Sequence, residues 1–281
     1  MGFERIDWAR EAALLRPAKL TLAVVQAGPT LDVSRPWIPD RLLPLHGGRG
    51  FESLSASQRL RYNHAYARQL IDEFIWSERF LIVAPLKQLC RTQRLDPEMA
   101  TVLQSFISDE IHHIESFSHL ADLAIAADQP AAKSTFRPPR LLRALAGLAQ
   151  RYPTRLTFWA DVIEGFEQQT LKICQVYHHD RSVDPLFREV LVMHARDEAR
   201  HCRFDALIAR WLQSAAGPAW NALNARLVSA FLASYRSVDW GLDGPLRELA
   251  QTHPETADKI PSLLAEAKAL RRSTPLPAAT E

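Results

Sequence analysis

The chain has 281 residues, 47% of them hydrophobic, so it is long enough to bury one large core. Its 34 basic and 32 acidic residues leave a formal charge of +2 without a basic block, which argues against a nucleic-acid partner. It has neither an uncharged apolar run of about 18 residues nor the apolar segment of a signal peptide near its start, so we expect no membrane partner.

The chain is expected to divide into an arm, a domain and a tail. Residues 1–50 are predicted to form an irregular N-terminal arm, because five prolines interrupt any long helix there. A short helix around Asp7–Leu15 is allowed within this arm, which we expect to wrap a bundle or contact another subunit. Residues 51–272 are predicted to form one helical domain, and residues 273–281 a disordered tail.

Four long core helices are predicted in the domain from apolar periodicity and start signals. They run from Ser55 to about Arg91, from Asp96 to about Ala127, from Pro153 to about His178, and from Asp184 to about Gln213. Pro85 is expected to kink the first of them. Shorter helices are predicted between and after them, at 141–150, 219–236, 244–252 and 256–271, with a linker at 129–139. Strand signals are weak throughout, so the predicted class is all-α.

The stretch from His194 to His201 places two imidazoles and one carboxylate on one face of the fourth core helix. His194, Glu198 and His201 are four and then three residues apart. At about 100° per residue they lie within about 60° of arc. Such a stripe makes a poor apolar face but a suitable half of a site for iron, manganese or zinc.

A D-E-x-x-H unit occurs twice, once in the second core helix and once in the fourth. It places Glu110 one turn from His113, and Glu198 one turn from His201. Two such units facing each other, with one more glutamate from each of two other helices, form the dinuclear metal site of ferritin-like proteins. Asp109 and Asp197, which precede the two glutamates, are predicted to accept the remaining N–H of a ligand histidine on the facing helix. The alternative for both aspartates is an ordinary surface charge.

The other two carboxylate ligands are ambiguous, because each of the remaining core helices offers two glutamates. In the first helix Glu78 lies in an apolar stretch, where an unpaired carboxylate is costly, and it is favoured over Glu73. In the third helix Glu164 and Glu167 are one turn apart, and Glu167 is favoured. Both alternatives stay open at this point.

The order of these residues resembles the p-aminobenzoate N-oxygenase family of ferritin-like diiron proteins. The distinctive feature is a third histidine one turn before the last Glu-x-x-His, which is His194 in this chain. The resemblance covers about residues 56–213 and implies a ferritin-like four-helix bundle core with additional helices. The metal ligands that it implies are Glu78, Glu110, His113, Glu167, His194, Glu198 and His201.

The resemblance implies a non-haem diiron oxygenase that holds two Fe ions, cycling between Fe(II) and Fe(III), and takes O2 as co-substrate. Its substrate would be a small-molecule amine, oxidised to a hydroxylamine, nitroso or nitro product in secondary metabolism. An external electron donor and a homodimer are also implied. Residues 219–236, which contain Trp and Leu, are a candidate for the dimer interface and equally for part of the core. The three cysteines are widely spaced without a CxxC pair, which predicts a reducing, cytoplasmic location.

Three other functions compete with amine oxygenation. A diiron hydroxylase or desaturase would use the same ligands to act on a C–H bond. A ferritin-like storage or ferroxidase bundle would bind metal without an organic substrate, although the arm and the additional helices argue against it. A helical bundle without metal would leave the histidines as ordinary buried side chains.

Overall fold

The computed structural model describes residues 6–14, 30–128, 136–237 and 241–273. In these ranges the chain forms helices and no β-strand, which confirms the predicted all-α class. The α-helices in chain order are α1 (Trp8–Leu14), α2 (Arg49–Glu52), α3 (Ala56–Ser77), α4 (Ala84–Thr92), α5 (Pro97–Ala127), α6 (Arg140–Arg151), α7 (Phe158–His179), α8 (Pro185–Ala216), α9 (Pro218–Ser237), α10 (Asp243–Thr252) and α11 (Ile260–Ser273). A π-helical turn, Glu78–Val83, joins α3 to α4, and 3-10 turns lie at Asp40–Leu42 and Pro254–Lys259.

The predicted first core helix is interrupted, which is a difference from the sequence analysis. It begins at the predicted capping box, where Ser55 and Gln58 exchange side-chain to backbone hydrogen bonds. It then becomes the π-helical turn at Glu78–Val83 before α4 continues. Pro85 explains the position, because a proline has no N–H to donate to the carbonyl of Leu81, which favours a wider turn just before it.

The third core helix, α7, begins later than predicted, at Phe158 rather than at Pro153. Two N–H groups, those of Arg155 and Leu156, donate to the carbonyl of Tyr152 at 3.1 and 2.9 Å and close a separate turn. The side chain of Asn224, on α9, accepts from the N–H of Phe158 at 3.2 Å and completes the start of α7.

The other predicted helices agree with the structure to within a few residues. Most of the predicted linker, 129–135, and of the predicted tail, 274–281, lies outside the described residues.

The four long helices pack as two pairs, α3 with α5 and α7 with α8. The apolar core is divided along the bundle into two clusters of buried side chains. One cluster contains Phe106 of α5 and Phe204 of α8. The other contains Phe117 of α5 and Leu191 of α8. The predicted ligands lie between these flanking residues, so the bundle encloses a polar layer between two apolar halves.

The described part of the arm packs on the bundle. Trp37 stacks on His64 of α3 at 4.0 Å between ring centroids, and the side chain of Asn63 accepts from the N–H groups of Trp37 and Ile38. The boundary near residue 50 therefore separates irregular from regular structure, and its status as a domain boundary stays a prediction. No helix in the described ranges has the length and apolarity needed to cross a membrane.

The start of α8 offers a stability prediction. Asp184 is buried; its Oδ1 accepts from the N–H groups of Leu186 and Phe187 at 2.9 and 3.1 Å, and its Oδ2 from that of Asp32 at 2.9 Å. We expect Asp184→Ala to lower the free energy of unfolding by about 2 kcal/mol, measured by urea denaturation. Asp96→Ala, at the exposed cap of α5, is the control and should cost about 1 kcal/mol. Equal losses in the two variants would contradict a contribution from the contact with the arm.

Candidate metal centre

The structure brings six of the seven predicted ligands into two overlapping clusters. In each cluster, one potential ligand atom per residue lies within 4.8 Å of the others, and all the side chains are buried. The first cluster consists of Glu78, His113, His194 and Glu198. The second cluster consists of Glu110, His113, Glu198 and His201. Because Glu198 and His113 belong to both, the two clusters form one continuous centre.

The two D-E-x-x-H units face each other across α5 and α8. The Nδ1 atom of His201 lies 2.7 Å from Oε1 of Glu110, on the opposite helix. The Nδ1 atom of His113 lies 3.5 Å from Oε1 of Glu198, again across the two helices. Both imidazoles therefore direct Nδ1 towards the carboxylates of the centre, as the shared helical spacing predicts.

The aspartates of the two units contact the other nitrogen of each ring. Asp197 Oδ2 lies 3.2 Å from Nε2 of His113, and Asp109 Oδ2 lies 3.7 Å from Nε2 of His201. Each aspartate thus acts on the histidine of the facing helix, which is the arrangement predicted from the sequence. A carboxylate in this position fixes which ring nitrogen carries the proton and leaves Nδ1 available to bind a metal.

His194 connects the fourth core helix to the first. Its Nε2 atom lies 2.6 Å from Oε1 of Glu198 and 3.3 Å from Oε1 of Glu78. Burial alone would lower the pKa of His194, but the charge of Glu198 and contacts with Cys174, Glu198 and Glu78 hold it well above its usual value. The pKa of His201 is raised in the same way, chiefly by Glu110.

The structure favours Glu78 over Glu73 as a component of the centre. Burial raises the pKa of Glu78 to about 7, and its carboxylate faces His194. Glu73 belongs to neither cluster; burial raises its pKa to about 7 as well, and the charge that opposes this rise is that of Arg271 on α11. The two glutamates are five residues apart in the sequence and face different parts of the molecule.

Glu167 is the one predicted ligand that lies outside both clusters. It is buried, and burial together with the nearby charges of Asp205, Glu198 and Glu110 raises its pKa well above the usual value. Its alternative, Glu164, is only partly buried and accepts a hydrogen bond from Gln168 at 3.5 Å. The structure therefore places Glu167, and not Glu164, beside the centre.

Asp205 is a further buried acid of this region that the sequence analysis missed. It lies on α8 and is paired with Glu167, and burial raises its pKa to about 7. Two carboxyl groups that share a buried site retain a proton between them when no cation is present. The sequence spacing could have predicted this position, because Asp205 is four residues after His201 and therefore lies on the same face of the helix.

The residues present fit a pair of divalent metals. Several buried carboxylate oxygens form no hydrogen bond of good geometry within the described part of the chain, although His201 lies near Glu110 and Asp205 near Glu167: both oxygens of Glu110, both of Glu167, and Oε2 of Glu78 and of Glu198. Native structures leave few buried polar atoms unsatisfied, and charged ones are especially costly. Cations would satisfy these oxygens, and mixed imidazole and carboxylate ligands suit iron or manganese.

A cavity adjoins the first cluster on the side of α3 and α7. It has a volume of about 30 Å³, enough for a few water molecules, and is partly open to solvent. Its floor is formed by three residues of the centre, Glu78, His194 and Glu198, and by Glu167 beside them. Its walls are mainly apolar and aromatic: Phe74, Leu81, Ile82, Ile163 and Phe166. The cavity opens directly onto the proposed metal ligands.

The family model described as P-aminobenzoate N-oxygenase AurF matches residues 27–237. The chain belongs to the AurF family. The match includes all four core helices and every residue of the centre, so the resemblance inferred from the ligand spacing is confirmed, and membership supports an oxygenase. No curated protein matches the chain.

In this AurF-family chain, Asp197→Asn should weaken metal binding by about 10- to 100-fold. The amide oxygen is a weaker acceptor for the N–H of His113 than the carboxylate is, and the amide NH2 can donate to Nε2 instead, so the ring loses its preferred tautomer and orientation. Chelator competition with Fe(II) or Mn(II) measures the affinity. Asp122→Asn, at an exposed position of α5, is the matched control. Unchanged affinity in Asp197→Asn would show that this aspartate does not orient a metal ligand.

Proposed function

We propose that this chain is a non-haem diiron oxygenase that uses O2 to oxygenate the nitrogen of an amine. The observation that carries the proposal is the pair of overlapping buried clusters, which share Glu198 and His113 and adjoin an apolar cavity. Its membership of a family named for a p-aminobenzoate N-oxygenase supports the same class of reaction. Amine oxygenation is therefore the function that accounts for the donor atoms, for the adjoining cavity and for the family membership.

In this proposal seven residues hold the metals: Glu78, Glu110, His113, Glu167, His194, Glu198 and His201. Glu167 joins the centre when cations replace the proton that it shares with Asp205. The protonated imidazoles must also lose their protons before they bind, so metal binding releases protons and its affinity should rise with pH. Two iron ions bound here would activate O2 and carry the redox chemistry, with electrons from an external donor.

The protein's own contribution is positional and electrostatic. Asp109 and Asp197 orient the imidazoles of His201 and His113 through their Nε2 atoms. The two apolar halves of the bundle keep water away from the polar layer, where electrostatic interactions are consequently strong. An amine would approach the centre from the side of Glu78 and His194, where the apolar side chains Phe74 and Phe166 lie.

The test begins with the metal content of protein loaded anaerobically with Fe(II). We expect about two irons per chain. The loaded protein is then given labelled O2, a chemical reductant and a panel of amines, and the products are identified by mass spectrometry. Labelled oxygen on nitrogen supports the proposal, whereas labelled oxygen on carbon would make the chain a hydroxylase. Substoichiometric iron in a folded protein would overturn the diiron assignment.

The cavity also argues against a storage bundle, because iron storage needs no apolar pocket beside the metal ligands. A storage protein would assemble into a cage, whereas we predict a homodimer that uses the face of α9 where Trp220 and Leu223 are exposed. Mass measurement in solution separates these two assemblies. A cytoplasmic location is likewise part of the proposal.

A further inference from the structure

A basic surface covers the side of the bundle next to Glu78. Helix α6 packs against α4 and against the π-helical turn that begins at Glu78. The helix α4 carries two basic residues and α6 carries three, and neither contains an acidic residue, although the whole chain is nearly neutral. All five basic side chains are exposed: Lys87, Arg91, Arg140, Arg143 and Arg151. The fold therefore gathers positive charge that the sequence spreads over two separate segments.

Exposed apolar side chains accompany these charges. Phe80 of the π-helical turn is 41% exposed, and Leu141 of α6 is 53% exposed. Leu148 and Tyr152 follow Leu141 at spacings of seven and then four residues, so they lie on the same side of α6, and both are exposed. Four of the seven large apolar side chains that are exposed in the described part of the chain thus belong to this surface. Such a concentration is typical of a site of interaction with another molecule.

The surface lies directly beside the metal centre. Glu78 is a buried member of the first cluster, whereas the next two residues, Arg79 and Phe80, are exposed. The ring of Trp76 lies 5.7 Å from that of Phe80 and 6.3 Å from that of Phe136, which precedes α6, as measured between ring centroids. Packed aromatic rings and two peptide bonds therefore connect an exposed side chain with a proposed metal ligand.

We propose that this surface docks the external electron donor, and that the donor is a small acidic protein that carries an iron–sulfur cluster or a flavin. The docking surface consists of Arg79, Phe80, Arg140, Leu141 and Arg143. The inference rests on the proposed function, which needs electrons from outside the chain. Two electrons, delivered one at a time, would reduce two Fe(III) to two Fe(II) and oxidise two donor groups by one electron each, and no bond forms or breaks.

The chemistry of the docking surface fits a transient complex between redox proteins. Such interfaces are small, and complementary charge raises the rate of encounter and sets the orientation of the partners. The apolar side chains of Phe80 and Leu141 lie among arginines, so they offer a contact that excludes water within a ring of positive charge. Because electron transfer slows steeply with distance, a donor is useful only where the surface lies near the metals, and the exposed residues next to Glu78 meet this condition.

The first experiment measures the binding of two acidic probes, a plant-type [2Fe–2S] ferredoxin and a flavodoxin. Calorimetry is performed on the full chain loaded with Fe(II) without O2. We expect at least one probe to bind, with an affinity that falls at least about tenfold between about 20 and about 300 mM salt. Binding of neither probe, or binding that salt does not weaken, overturns the proposal. Binding of phosphatidylglycerol vesicles or duplex DNA, with neither probe bound, also overturns it.

Variants of the docking surface show where the probe binds. Arg140→Glu should weaken binding by about tenfold, and Phe80→Ser by about fivefold. Arg181→Glu, at an exposed position after α7, changes the net charge equally and should alter the affinity by less than about twofold. Equal losses in Arg140→Glu and Arg181→Glu would overturn the proposal, because net charge alone would then explain the binding. This comparison of two exposed arginines decides the question if Phe80→Ser folds poorly.

Stopped-flow reduction of the iron-loaded, air-oxidised protein tests whether the docked donor delivers electrons. With the chemically reduced probe, Arg140→Glu should be reduced at least about tenfold more slowly than the unaltered chain. With dithionite, which needs no docking surface, the two proteins should be reduced at the same rate. Equal slowing with both reductants would place the defect in the metal centre and overturn the proposal.

Product analysis separates this inference from the proposed function. If no amine is oxygenated, but reduction by the acidic probe still depends on Arg140, amine oxygenation fails and the docking surface stands. If amines are oxygenated with a chemical reductant, but neither probe binds, the proposed function stands and the docking surface fails. Oxygenation that the acidic probe supports, and that Arg140→Glu slows, supports both.

Discussion

Glu198→Ala is expected to abolish metal binding at both clusters and to lower amine oxygenation by at least about a thousandfold. Glu198 is one of the two residues that both clusters share, and its carboxylate lies 2.6 Å from His194 and 3.5 Å from His113. Its removal would take a negative donor from each metal and leave His194 without its closest charged partner. Metal analysis after anaerobic loading, followed by product quantification, measures the two effects.

Two further variants show whether the loss is specific. Glu198→Gln keeps the shape of the side chain and removes its charge, so it should also lose metal while circular dichroism shows an intact helical fold. Glu189→Gln, at an exposed position of the same helix, should retain both metal and activity. Retention of two metals per chain in Glu198→Gln would contradict the role of this carboxylate in the centre.

The second large effect concerns stability, at a buried network of charges away from the metal centre. Glu248 on α10 contacts Arg61 at 2.7 Å and also Arg68, both on α3. Asp128, which follows α5, contacts the same two arginines, at 2.6 Å for Arg61. We expect Glu248→Ala to lower the free energy of unfolding by about 3–5 kcal/mol, because it leaves two buried arginines short of a partner. Urea denaturation followed by circular dichroism measures the loss.

The matched control is Asp243→Ala on the same helix. Asp243 pairs with Arg247 at 2.8 Å, but both side chains are largely exposed, so the loss should stay below about 1 kcal/mol. A loss as small as this in Glu248→Ala would contradict the importance of the buried network.

The network should also make the stability of the fold sensitive to acid. Burial alone would raise the pKa of Asp128, but His64 and the arginines lower it to about 2. This contribution is complete above about pH 4 and is lost as the pH falls towards 2.

The parts of this molecule that could be predicted from the sequence are those set by local periodicity. His194, Glu198 and His201 lie on one face because an α-helix fixes the angle between residues three and four apart. The caps at Ser55, Asp96 and Asp184 are equally local. That α5 and α8 face each other was inferred from the repeated motif and from the family resemblance, and not from any property of either helix alone.

The choice between Glu73 and Glu78 needed the structure for a physical reason. Periodicity assigns faces on the assumption of a regular helix, and the helix changes to a π-helical turn at Glu78. The late start of α7 depends on Asn224, a partner 66 residues away in the sequence, which no local pattern reveals. Asp205 was missed because a single acidic residue in an apolar stretch can have many roles. Only its contact with Glu167 identifies it as a buried acid beside the metal centre.

The π-helical turn also limits how the length of this chain can vary. A π-helical turn contains about one residue more than the α-helical turn that it replaces. Because the wider turn takes up this extra residue within itself, deleting one residue between Glu78 and Pro85 would restore a regular helix and leave Leu86 and Leu89 of α4 facing the core. Deleting a second residue would rotate α4 by about 100° relative to α3, carry these two leucines out of the core and bring the exposed Lys87 towards it. The turn therefore gives the spacing from Glu78 to Pro85 one residue of latitude before the packing of α4 is lost.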